Sequence, residues 1–180
     1  MAKLVSKTYG DGLFDTALES ESVDRIFEET KIILSILHNE EQFIRLLNHP
    51  KISRADKVKL IEDIFTDRVS PDMVGFLVLA VNKNRTKDLS DILEYLLNRI
   101  KEYKNIGIAY VITAVELTGS QMKAIKDKLL STTKYVEFEM KYQVDPSLIG
   151  GMVIRVNDRV VDSSIKGKLS SISGSLHLVK

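Results

Sequence analysis

The sequence predicts a mostly α protein of two domains: a six-helix bundle over residues 1–105, then a small α/β domain of order β-α-β-β-β-α over 106–180. Three observations predict it. Apolar residues recur at helical spacing through the first hundred positions, in six stripes with short links, as a helical bundle requires. Near Ile106 the period changes to β-branched and alternating runs. A run of helices followed by a mixed run places the boundary between domains near 103–107.

The elements follow in order. Leu4, Val5, Thr8, Tyr9, Gly12, Leu13 and Ala17 form the first stripe. Ser20-Glu21-Ser22 breaks it and offers a cap to a second helix carrying Val23, Ile26, Phe27, Ile33, Leu34 and Leu37. Asn39 is the expected cap of a short third helix with Phe43, Leu46 and Leu47. Asn48-His49-Pro50 ends that helix, because the residue before Pro is pushed out of the α region. Ser53-Arg54-Ala55-Asp56 starts the fourth in the manner of a capping box, the acid facing back towards the free amides, ahead of Val58, Ile61, Ile64 and Phe65. Ser70-Pro71 starts the fifth, with Ser as cap and Pro at the first helical position. Residues 73–81 are then almost wholly apolar, so this helix is either central or has a second face for a partner. The sixth carries Leu89, Ile92, Leu93, Leu96, Leu97, Ile100 and Tyr103.

In the second domain, residues 108–115 read as a buried strand, and Thr118-Gly119-Ser120-Gln121 starts a helix with Met122, Ile125 and Leu129. Val136, Phe138, Met140, Tyr142 and Val144 alternate with polar residues, as in a strand with one wet face. Asp145-Pro146-Ser147 makes a turn, and Gly150-Gly151 allows backbone conformations or approaches denied to other residues. Asn157-Asp158 suits a two-residue hairpin turn between strands at 152–156 and 159–161. Asp162 is the expected cap of a last helix with Ile165, Leu169, Ile172 and Leu176.

Composition narrows the function. The 180 residues are 44% apolar and 28% charged, which excludes disorder as the main state. A formal net charge of +1 supplies no global field for nucleic acid or an anionic membrane. No cysteine is present, which removes disulfides, thiolate chemistry and Cys-based metal sites. No apolar run is long enough for a signal peptide or a membrane span, so a soluble, cytoplasmic protein is expected.

Catalytic patterns are missing. Asp145 and Asp162 sit where a turn and a cap need an acid, and Gly150-Gly151 precedes a strand instead of opening a phosphate-binding helix. His38, His49 and His177 have no metal spacing. Ser163-Ser164 and Ser170-Ser171 read as cap and packing residues. Lys123, Lys126 and Lys128 share a helix, as do Lys166 and Lys168, but no aromatic residues interleave to stack bases. No enzyme, cofactor or metal is expected.

The stretch 144–164, VDPSLIGGMVIRVNDRVVDSS, resembles the signature region of the delta-subunit family of bacterial F-type ATP synthase, whose mitochondrial counterpart is the oligomycin-sensitivity-conferring protein. Three further pieces are similar in the same order: YGDGLFDTA at 9–17, LNHPKI at 47–52 followed by Lys57, and Phe76-Leu77 through Val81-Asn82-Lys83-Asn84-Arg85. Gly10 and Gly12 stand where that family commonly has alanine, implying a weaker first helix and a shallower groove beside it. Ser163 stands where glycine is usual.

The resemblance implies a non-catalytic stator subunit. It would link the catalytic head to the peripheral stalk and resist rotor torque during ATP synthesis driven by the proton-motive force. The N-terminal domain would hold N-terminal segments of alpha subunits with its first and fifth helices. By the match, Tyr9, Gly12, Leu13, Phe76, Leu77, Ala80 and Val81 are the candidate contacts. The C-terminal domain would meet the C-terminal end of the b subunits. One copy per complex is implied, monomeric alone, at the cytoplasmic face of the bacterial cell membrane and touching the membrane only through the complex. Neither a cofactor nor nucleic acid is implied. The alternative reading is a stand-alone helical adaptor that binds protein or nucleic acid.

Overall fold

Local signals set the helix ends in the first half of the chain. In a computed structural model that describes residues 2–177, and side chains over 4–171, α1 spans Ala2–Glu19 and α2 spans Val23–Asn39. Glu21, at φ 51, turns the chain between them. α3 is Glu41–Leu47, α4 Arg54–Phe65, α5 Pro71–Asn82 and α6 Leu89–Tyr103, with a 3₁₀ turn at Thr86–Asp88. Ser53 and Ser70 cap α4 and α5, accepting from the amides of Asp56 and Met73. Asn39 is not the cap of α3: it closes α2, its amide donating to Ser35, and Glu40 holds the cap position without a side-chain bond.

Two compact units divide the chain, Met1–Lys101 and Glu102–Lys180. The core of the first is built from Ile26, Ile33, Leu37, Ile61, Phe65, Met73, Leu77, Ile92, Leu93, Leu96 and Ile100, none more than 2% exposed. α1 buries Ser6, Gly10, Leu13, Phe14 and Ala17, a stripe displaced by about one residue around the helix from the expected one, and leaves Leu4, Thr8 and Gly12 outside. Gly10 explains the shift. A β-carbon there would stand 2.4 Å from the Tyr95 ring, so glycine brings α1 close to α6.

Among the described residues of this unit, two charged side chains are buried, Glu29 and Lys101. Glu29 of α2 is buried, and its carboxylate accepts from the Ser70 amide at 2.7 Å, the Ser70 hydroxyl at 2.6 Å and Arg25 at 2.8 Å. The capping residue of α5 is thereby tied to α2, and the buried acid has partners for both oxygens.

The second unit is a four-stranded mixed sheet with two helices. β1 is Ile106–Thr113, α7 Gly119–Thr132, β2 Glu137–Val144, β3 Met152–Val156, β4 Arg159–Asp162 and α8 Ile165–His177. Sheet order is β2-β1-β3-β4; β1 and β2 are parallel, joined through α7, and the other pairs are antiparallel. α7 opens with a full capping box between Thr118 and Gln121. The alternation in β2 translates into burial only at Phe138; Tyr142 and Val144, on the same face, are 38% and 44% exposed. An edge strand has a neighbour on one side only, so its far end stays open. Ile172, Leu176 and His177 have side chains outside the described residues.

A groove between the first and fifth helices

The near-continuous apolar run of α5 serves two faces. Met73, Leu77, Ala80 and Val81 point into the core, at 0–2% exposure. Asp72, Gly75, Phe76 and Leu79, at i, i+3, i+4 and i+7, line a surface groove. The opposite wall is α1, through Thr8, Tyr9, Gly12, Leu13 and Thr16, and Pro71 also lines the groove, whose volume is about 560 Å³. Leu13 and Phe76 are themselves almost fully buried and form its floor, whereas Leu79 is 44% exposed on its rim.

The polar chemistry of this lining is sparse. Thr8 and Thr16 donate their hydroxyl hydrogens to the carbonyls of Leu4 and Gly12, each at 3.0 Å within α1. That leaves the Tyr9 hydroxyl and the Asp72 carboxylate, in the first turn of α5, as the remaining side-chain polar functions of the lining. Such a surface suits the apolar face of a helix and offers no acid–base pair for chemistry.

Of the seven residues expected as contacts, the groove brings together Tyr9, Gly12, Leu13 and Phe76. Leu77, Ala80 and Val81 lie in the core instead. Thr8, Thr16, Pro71, Asp72, Gly75 and Leu79 also line the groove and are not among those seven. The missing signal was a second helical phase within α5: once 73, 77, 80 and 81 form a core stripe, 72, 75, 76 and 79 form the outer one. Gly12 does not make the groove shallower. A β-carbon built on it meets no heavy atom within 4 Å, so its absence deepens the groove.

The acids of the second unit do local structural work. The Ser147 amide donates to Asp145 at 2.9 Å in the turn before Pro146–Leu148. The Ser164 amide donates to Asp162 at 2.8 Å, while the Ser164 hydroxyl accepts from the Gly167 amide at 3.0 Å. Asp162 is therefore a turn residue and Ser164 is the cap of α8, a correction to the sequence expectation. Hydrogen bonds from Ser147 and Ser164, side chain first and then amide, hold the carboxyls of Asp145 and Asp162 below the ordinary aspartate range. Asn157, at φ 51, turns the β3–β4 hairpin. Among the described residues no cluster of three or more His, Asp or Glu is placed to hold a metal, and no helix is long and apolar enough to cross a membrane.

Comparison with known proteins accounts for nearly the whole chain. Residues 5–176 match the family described as ATP synthase delta (OSCP) subunit. A protein named ATP synthase subunit delta from Lachnoclostridium phytofermentans is 52% identical, covering 100% of this chain and 99% of that one. A protein of the same name from Alkaliphilus oremlandii is 32% identical over 98% of this chain and 97% of its own. A chain in the Toxoplasma gondii mitochondrial ATP synthase hexamer has a similar fold, with a TM-score of 0.73 at 13% identity, covering 95% of this chain and 96% of that chain. The chain belongs to the ATP synthase delta (OSCP) subunit family.

Proposed function

We propose that the groove between α1 and α5 holds an N-terminal helical segment of an alpha subunit, and that the second unit meets the C-terminal end of the peripheral-stalk b subunits. The chain is a non-catalytic delta subunit of F-type ATP synthase, a component of its stator. In this reading the helices of the first unit act as one six-helix bundle that presents the groove. One copy joins the catalytic head to the stalk at the cytoplasmic face of the membrane. It transfers no chemical group; it resists the torque that the rotor exerts on the head by staying bound and keeping its shape.

The observation that carries the alpha-segment reading is the second apolar phase of α5, open to the surface opposite Gly12 and Tyr9. A helix laid there buries its i, i+3, i+4 and i+7 side chains against an already formed surface. Titrating the full chain with a peptide of the alpha subunit N-terminus, roughly 20 residues and so about 30 Å as a helix, tests it. Saturable binding that weakens with Tyr9→Ala and with Leu79→Arg is expected. Absence of saturation, or affinity unaffected by both variants, rules the groove out as that site.

A further inference from the structure

Two glycines line the groove from opposite walls, Gly12 on α1 and Gly75 on α5. Glycine in a helix interior weakens it relative to alanine, so each calls for a reason. Backbone conformation is not the reason, since neither has a positive φ. Internal packing is not the reason either. A β-carbon on Gly12 or Gly75 would meet nothing within 4 Å, in contrast to Gly10 against Tyr95. Both glycines line the groove together with Tyr9, Leu13, Phe76 and Leu79, and each leaves open space where a side chain would stand.

We propose that Gly12 and Gly75 form a recess that seats one bulky apolar side chain, of leucine or phenylalanine size, from the alpha-subunit helix, with a lysine or arginine of that helix facing Asp72. The proposal rests on the reading of the groove as the alpha-segment site and specifies the chemistry of its occupant. An apolar anchor follows from the apolar lining and from the two threonine hydroxyls, which are already bonded within α1. A basic neighbour follows from charge complementarity, because Asp72 is the carboxylate that the lining presents. One anchor entering a pre-formed recess is how a helix in a groove concentrates its binding energy.

Gly12→Ala and Gly75→Ala in the full chain test the recess. Each adds one methyl group to open space on a helix, so each is expected to raise the melting temperature. The same methyl occupies the recess, so affinity for the alpha N-terminal peptide is expected to fall about tenfold in each case, as overpacking of a filled site does. Replacing the peptide's largest apolar residue on its binding face by alanine is expected to weaken binding to the wild-type chain and to abolish the penalty of Gly75→Ala. Unchanged or tighter binding by both alanine variants overturns the recess, while weakening by Tyr9→Ala and Leu79→Arg then leaves the groove reading standing. Failure of the wild-type chain to bind overturns both.

Discussion

The hydroxyl of Ser70 donates a 2.6 Å hydrogen bond to the carboxylate of Glu29, 41 residues earlier in the chain. The Ser70 amide donates to the other oxygen at 2.7 Å, so one buried acid fixes the first turn of α5, from which Pro71 and Asp72 reach the groove. Glu29→Ala leaves both Ser70 groups without their partner and is expected to cost about 2–4 kcal/mol in urea unfolding. Glu29→Gln keeps an acceptor and is expected to cost about 1–2 kcal/mol.

The two faces of α5 predict opposite outcomes for neighbouring substitutions. Ala80 is 0% exposed, so Ala80→Arg forces a charge into the core and is expected to cost more than about 3 kcal/mol. Leu79→Arg places its charge on the groove rim and is expected to leave stability within about 0.5 kcal/mol while weakening the alpha peptide. Thermal melting and peptide titration on the same samples check the contrast.

The glycine pair of the second unit separates in the same way. Gly151 has φ +76, and a β-carbon on it would stand 2.4 Å from the Ser163 carbonyl oxygen. Gly151→Ala is expected to destabilise the unit by about 2 kcal/mol or more, because both backbone conformation and backbone contact oppose it. Gly150→Ala meets only the end of the flexible Ile165 side chain, at 2.7 Å, and is expected to cost less. Urea titrations of the two variants rank them.

Asp145 and Asp162 give a pH dependence with a definite sign. Both carboxyls are held below the ordinary range by hydrogen bonds to Ser147 and Ser164. A depressed folded-state pKa contributes stability that is complete above the unfolded value, about 3.9 for aspartate, and is lost as pH falls through the folded value. Stability is therefore expected to decline below about pH 4, and Asp145→Asn with Asp162→Asn is expected to flatten that decline. Chemical unfolding across pH 2–6, roughly the range in which carboxylates titrate, checks it.

Much of the architecture was legible because its signals are local. Ser53, Ser70 and Thr118 announce their helices through cap bonds within three residues, and Asn157 announces the hairpin through its own φ. What was not legible depends on distant partners. The phase of α1 turns on Gly10 meeting Tyr95, and the Glu29 anchor turns on Ser70. Leu77, Ala80 and Val81 carry the same apolar character as Phe76 and Leu79, and only packing against the other helices tells core from groove. At 162–164, two adjacent candidates could start α8, and the fold uses Asp162 for the turn and Ser164 for the cap.

Hydrogen exchange of the full chain, with and without the alpha N-terminal peptide, tests the central claim most directly. Slowed exchange in α1 and α5, with β1–β4 unchanged, is the result expected if the groove is the alpha site. Unchanged exchange in α1 and α5 at saturating peptide, or protection confined to the second unit, would contradict it.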